Sequence, residues 1–152
     1  MREEEIRAIA LFFFFALTDS IRGQAATVDT IAKFREHVRH AGDTPRLELL
    51  VATIEDQWNR VRRSLKKQTG EPVILPSEFS VPVDLSHWRE FQKHATPEEL
   101  AAAIYSGILR FDDKTIAHGL MLPEGTIRYR LSKAYSKIGT ALSRTRAAGV
   151  RA

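Results

Sequence analysis

The sequence contains no cysteine. That absence excludes a disulfide framework, a thiolate nucleophile and a cysteine-ligated zinc site. Histidine is sparse and scattered. The five residues stand at 37, 40, 87, 94 and 118, with no HExxH or other tight ligand cluster, so neither a metal site nor a cofactor is expected. Long apolar runs are also missing. Residues 8–17, AIALFFFFAL, make ten, where a membrane span needs about 20. A signal peptide would open on a basic stretch, but Arg2 is followed by Glu3, Glu4 and Glu5. A cytoplasmic chain with no membrane partner is expected. Phosphate loops, nucleophile elbows and nucleotide fingerprints are absent as well. The adjacent acids Asp112-Asp113 and Glu98-Glu99 point in different directions around a helix. They read as first-turn anions, and Ser86-His87 reads as a helix cap. No catalytic residue and no small-molecule substrate is expected.

The 152 residues that remain after these exclusions are 43% hydrophobic and 28% charged, with net charge +4 and pI about 9.6. That balance supports a packed core and permits nucleic-acid binding without requiring it. Apolar spacing is helical almost throughout, and no period-2 strand run or internal repeat is visible. In the first helix Ile6, Ile9, Ala10, Phe13, Phe14 and Leu17 fall at helical spacing, while Phe12 and Phe15 extend the apolar surface around the other side. Such a helix needs cover on most sides, from its own bundle or in part from a partner protein. A turn is expected around Thr18, Asp19 and Gly23. The second helix carries Val28, Ile31, Phe34 and Val38 and breaks at Gly42. The third carries Leu47, Leu50, Val51, Ile54, Trp58, Val61 and Leu65 and ends in Arg60, Arg62, Arg63, Lys66 and Lys67. Those cations complement the helix dipole and are equally compatible with a phosphate-binding patch.

Gly70, Pro72, Pro76 and Pro82 argue against helix in the middle of the chain. We expect an extended linker at 68–84 between two small helical domains, 1–67 and 85–152, in an all-α protein. The second block opens with a short helix from Ser86 to His94. Thr96-Pro97-Glu98-Glu99 then forms a capping box ahead of a helix carrying Leu100, Ala103, Ile104, Gly107, Ile108 and Phe111. Asp112 caps the next helix, Gly119 is expected to end it, and a last helix opens near Pro123 with Ile127, Leu131, Ala134, Ile138 and Leu142 as its buried stripe.

Residues 112–138 read DDKTIAHGLMLPEGTIRYRLSKAYSKI. A short helix, a tight turn and a longer basic helix make a helix-turn-helix, whose second helix enters the major groove. Thr126, Arg130, Lys133 and Lys137 are expected on one face, opposite the buried stripe. From 124 to 152 there are seven Lys/Arg against one acid, Glu124, or +6 in 29 residues. Charge is thus concentrated on the expected recognition element, as phosphate neutralisation requires.

Ile116-Ala117, Leu120, Leu122-Pro123, Gly125-Thr126-Ile127, Arg130-Leu131 and Ala134 stand in an order that resembles region 4 of the extracytoplasmic-function sigma factors of bacterial RNA polymerase. The pattern is shared in part with LuxR-type effector domains, but Pro123, Arg130-Leu131 and Ala134 favour the sigma version. More faintly, Leu17-Thr18-Asp19, Gly42-Asp43 and the basic run Arg60 to Lys67 resemble sigma region 2. The resemblance implies that Glu124, Thr126, Arg128 and Arg130 contact bases or phosphates, with Lys133 and Lys137 on phosphate. It implies double-stranded promoter DNA and core RNA polymerase as partners, and leaves room for an anti-sigma factor. The sequence departs from the family where the second helix should open with acids: it reads Gln24-Ala25-Ala26-Thr27-Val28-Asp29-Thr30. Thr115 replaces the usual glutamate before Ile116-Ala117. Two functions stay open. One is a sigma factor that binds core polymerase, directs it to a promoter and melts DNA. The other is a sigma-derived regulator or interaction protein that keeps DNA binding and uses its Phe-rich block, with Phe12, Phe15, Thr27 and Asp29, to dimerise or hold another partner.

Overall fold

The computed structural model describes residues 1–67 and 84–150, and every regular element among them is helical. The expected linker falls almost entirely on residues 68–83, outside the described residues. The helices are α1 (Glu3–Leu17), α2 (Ser20–His40), α3 (Arg46–Lys67), α4 (Ser86–His94), α5 (Pro97–Ala103), α6 (Asp113–Leu120) and α7 (Glu124–Val150). A π-helical turn, Ile104–Ile108, continues α5.

Local chemistry sets most of the boundaries. Glu3, Glu4 and Glu5 fill the first turn of α1, where the helix dipole favours anions. Thr18 takes a left-handed backbone at its end, with φ 49°. The Asp19 carboxylate accepts from the backbone N–H of Ile21 (3.0 Å) and Arg22 (3.1 Å) and starts α2. The α1–α2 turn is therefore shorter than expected, and Gly23 already lies inside α2. Gly42, at φ +54°, turns the chain towards α3. Thr96 and Glu99 form the reciprocal capping box of α5 (3.0 and 3.2 Å). The Asp112 carboxylate accepts from the Thr115 N–H at 2.7 Å to start α6.

Burial corrects the sequence in α2 and α3, and at Leu142 of α7. The inward face of α2 is Gly23, Ala26, Thr30 and Phe34, while Val28 is 65% exposed and Ile21 61%. Leu47, expected in the core of α3, is 48% exposed. Leu50, Val51, Ile54 and Trp58 are buried as expected.

The two helical blocks share one hydrophobic core. Phe12 is fully buried and packs on Phe13 and Trp58 of the first block and on Tyr105 of the second, with ring centroids 5.3, 6.1 and 5.0 Å apart. α4 packs on the C-terminal end of α1. The Trp88 ring meets Phe15 edge-on at 5.3 Å and its Nε1–H donates to the Phe15 carbonyl at 2.8 Å. Gln92 Nε2 donates to the carbonyls of Phe15 (2.9 Å) and Ala16 (3.1 Å). These bonds satisfy carbonyls that the end of α1 leaves without helical partners.

α6 docks on α3 through Gly119. Gly119 does not terminate α6: it is helical and buried, and the left-handed residue that ends the helix is Met121, at φ 56°. A Cβ at position 119 would lie 2.6 Å from Val51 Cβ and 2.8 Å from the Glu48 carbonyl oxygen. Gly119→Ala should therefore lower unfolding stability by about 1–3 kcal/mol through overpacking. Gly139→Ala, at a helical position with nothing within 4 Å, should leave it unchanged or raise it. Urea titration of both variants checks the contrast; equal midpoints would contradict the close packing.

Candidate nucleic-acid interface

α6, the turn at Met121 and α7 occupy the segment expected to be a helix-turn-helix: two helices joined by a tight turn. The turn is closed by backbone bonds from Met121 N–H to the His118 carbonyl (3.1 Å) and from Leu122 N–H to the Ala117 carbonyl (2.9 Å). His118 Nδ1 lies 3.0 Å from Glu48 Oε1, a second link from α6 to α3. Ile127, Leu131, Ala134 and Ala141 form the buried stripe of α7, and Leu142 is exposed.

That stripe sets which side chains face out. A residue two positions from Ile127 lies about 200° around the helix. The outward pole is accordingly Gly125, Tyr129, Ser132 and Ser136, all exposed, with Arg128 and Lys133 beside it. The face expected to hold Thr126, Arg130, Lys133 and Lys137 divides. Lys133 is exposed, and its Nζ stands 5.6 Å from the centre of the Tyr129 ring. Thr126, Arg130 and Lys137 are half-buried along one flank. Lys137 Nζ donates to Glu99 Oε2 (2.6 Å) and to the His94 carbonyl (3.0 Å), which ties α7 to the start of α5. Glu124 is half-buried and accepts from Arg128 Nη2 at 2.9 Å, while Arg128 Nε lies 3.5 Å from Asp113. Arg128 is thus held by two acids at the N-terminal end of α7, with its side chain 63% exposed. Tyr129, 64% exposed at this pole, is not among the residues expected to meet DNA. The phase of Ile127, Leu131 and Ala134 was the signal that could have placed it.

Behind α7 lies a charged cluster between the two blocks. Tyr105, fully buried, donates its hydroxyl to Glu55 Oε2 at 3.2 Å. Burial raises the Glu55 carboxyl above its ordinary range, against the opposing pull of the Tyr105 hydrogen bond and the charges of Arg62 and Arg130. Burial also pushes the Tyr105 phenol well up, helped by the Glu55 charge. Burial works the same way on Glu99, but Lys137 and the Thr96 N–H outweigh it and hold that carboxyl low.

The residues expected to meet a protein partner separate similarly. Phe12 is core and reaches no partner, because α3 and the π turn cover it. Phe15 is half-buried against Trp88. The Thr27 hydroxyl donates to the Gly23 carbonyl of its own helix at 2.7 Å. Asp29 is exposed on α2, on the side that also exposes Val28. Elsewhere, a cleft of about 360 Å³ lies between the starts of α1 and α3 and the turn after Ile108. Its Glu5 is buried and paired with Arg46, whose guanidinium holds that carboxyl below its usual range. Among the described residues, no group of three potential ligands is placed to hold a metal ion, and no helix is long and apolar enough to cross a membrane.

No protein-family model matches this sequence, and no curated protein does. A solved structure does match in fold: the co-crystal structure of the sigma factor RpoE in complex with the anti-sigma factor NepR from Bartonella quintana. The TM-score is 0.69 at 17% identity, over 91% of this chain and 92% of that one. The fold is therefore the all-helical sigma-factor fold, across both helical blocks.

Glu55→Gln retains an acceptor for Tyr105 and removes the buried charge. Because the folded carboxyl titrates above its ordinary value, its ionisation costs stability once pH rises through the folded pKa, and that cost disappears as it protonates. The variant should unfold at higher urea than wild type at pH 7, and the advantage should shrink as pH falls towards the ordinary carboxylate range, about 4.5. A pH-independent difference would mean that Glu55 ionises without penalty.

Proposed function

We propose that this chain is a sigma factor of the extracytoplasmic-function type. It binds core RNA polymerase in the bacterial cytoplasm, delivers it to promoters and reads the upstream promoter element with α7. The observation that carries this reading is a helix-turn-helix with an exposed basic pole, set in a chain that shares the sigma-factor fold over nearly its whole length. Arg128, already held at the N-terminal end of α7 by Glu124, is the best-placed cation for a base edge. Lys133 is placed for phosphate. The matching structure is a complex with an anti-sigma factor, which supports a partner of that class for this chain too.

A second reading is favoured by α2. In the family, this helix opens with acids that engage the polymerase clamp. Here it exposes Ile21 and Val28, with Asp29 beside them. That surface suits a regulator that keeps DNA binding and holds a different protein. Co-elution of the chain with core polymerase from the source organism, followed by run-off transcription on native promoters, separates the two. A complex that initiates supports the sigma factor. DNA binding without a complex supports the regulator. In either case Arg128→Ala should weaken specific DNA binding by about 1–3 kcal/mol at matched salt, with the thermal melt unchanged. Undiminished affinity would remove Arg128 from the interface.

A further inference from the structure

We propose that Tyr129 is a specificity-determining residue that reads a thymine through its 5-methyl group in the major groove. The inference rests on the reading of α7 as the groove-entering helix and deepens it. Tyr129 stands at the outward pole of α7, two residues past the fully buried Ile127, with 64% of its surface exposed. It falls in the second turn of the helix, and N-terminal residues of a recognition helix are the ones that reach base edges. Its neighbours along the pole are short: Gly125 one turn before, Ser132 and Ser136 after. The ring is therefore the group that projects furthest between Arg128 and Lys133.

The chemistry of that ring selects a partner. The four base pairs differ in the major groove by their donors, their acceptors and one apolar group, the thymine methyl. The face of an aromatic ring offers a donor edge only a weak N–H···π contact and an acceptor edge none, but it buries a methyl well. The Tyr129 hydroxyl has no hydrogen-bond partner among the described residues, and Lys133 Nζ stands 5.6 Å from the ring centre. Lys133 is thereby held beside the ring, where it can meet the phosphate that flanks the contacted base. Arg128 on the other side offers guanine its fork. Together the pole presents one apolar reader and one bidentate reader, so a site containing G and T within a few base pairs is the expected target.

The test is selection of binding sites from a pool of randomised duplex DNA, with the full-length chain and with Tyr129→Ala and Tyr129→Phe. Wild type should enrich one thymine position, Tyr129→Phe should keep it, and Tyr129→Ala should lose it while the rest of the site persists. Replacing that thymine by deoxyuridine removes only the methyl. Wild-type affinity should fall about fourfold, the equivalent of one buried methyl group, while Tyr129→Ala binds both duplexes equally. Enrichment of a site with no thymine preference, or equal sensitivity to deoxyuridine in wild type and Tyr129→Ala, overturns the inference and leaves the interface standing. Loss of the preference in Tyr129→Phe would assign the role to the hydroxyl and also overturn it. If no sequence is enriched at all, the reading of α7 as a groove helix falls, and this inference with it.

Discussion

A helix apolar on nearly every side cannot be stable unless other elements enclose it, and α1 imposes that requirement on the whole molecule. Ile9, Phe12 and Phe13 have no exposed surface. α2 and α3 cover part of the helix and residues from beyond the middle of the chain cover more, while Ile6 and Phe14 stay exposed. Tyr105 packs on Phe12 from the π turn, and Trp88 of α4 meets Phe15 edge-on while bonding the carbonyl at the helix end. Burial of an aromatic side chain contributes about 1.5–3 kcal/mol, so the several rings around α1 outweigh any one polar contact between the two blocks. The hydrogen bonds from Trp88 and Gln92 set direction: they fix where α4 sits on a surface that hydrophobic burial alone would leave slippery.

The helix-turn-helix inherits its position from that core. α6 does not touch solvent on the side facing α3, where Gly119 brings the two backbones within van der Waals range of Val51 and Glu48. α7 is then held by its own apolar stripe and by Lys137, which bridges to the start of α5. The outward pole of α7 follows from the inward contacts, since a helix with its buried stripe fixed has no remaining rotational freedom.

The features legible in the sequence are the ones set within four or five residues. The capping box at Thr96 and Glu99, the Asp112 cap and the helix from Ser86 to His94 depend on neighbours along the chain. The phase of α2 is different. Its inward residues, Gly23, Ala26 and Thr30, are small or hydroxylated because α1 runs close by, and the Thr30 hydroxyl is satisfied by the Ala26 carbonyl at 2.7 Å. Hydrophobicity alone finds the buried Phe34, with Ile31 and Val38 packed against the core, but adds Val28, which is exposed, and passes over the small inward residues. Gly119 misleads for a related reason. Its missing side chain serves a neighbouring helix 68 positions earlier, at Val51, and the turn it was expected to make falls on Met121. The π turn that aims Tyr105 at Glu55 leaves no mark in composition or spacing.

The same distinction between inward and outward governs the candidate interface. Charge counting assigns +6 to the last 29 residues, but the cations are not equivalent. Lys137 is half-buried on Glu99, and Arg130 is turned to the side where its charge acts on Glu55. Releasing the partly buried Lys137–Glu99 pair would leave an uncompensated carboxylate. Arg128 is also paired, yet with acids on an open surface, where such pairs are worth about 0–1 kcal/mol. A guanine edge or a phosphate can replace Glu124 at little cost. Near the start of α7 the exposed cations are Arg128 and Lys133, with Arg144 and Arg146 exposed further along. In the proposed groove-entering role, phosphate contacts would supply affinity and the few groups that reach base edges would supply discrimination, which is where a projecting ring at position 129 would matter.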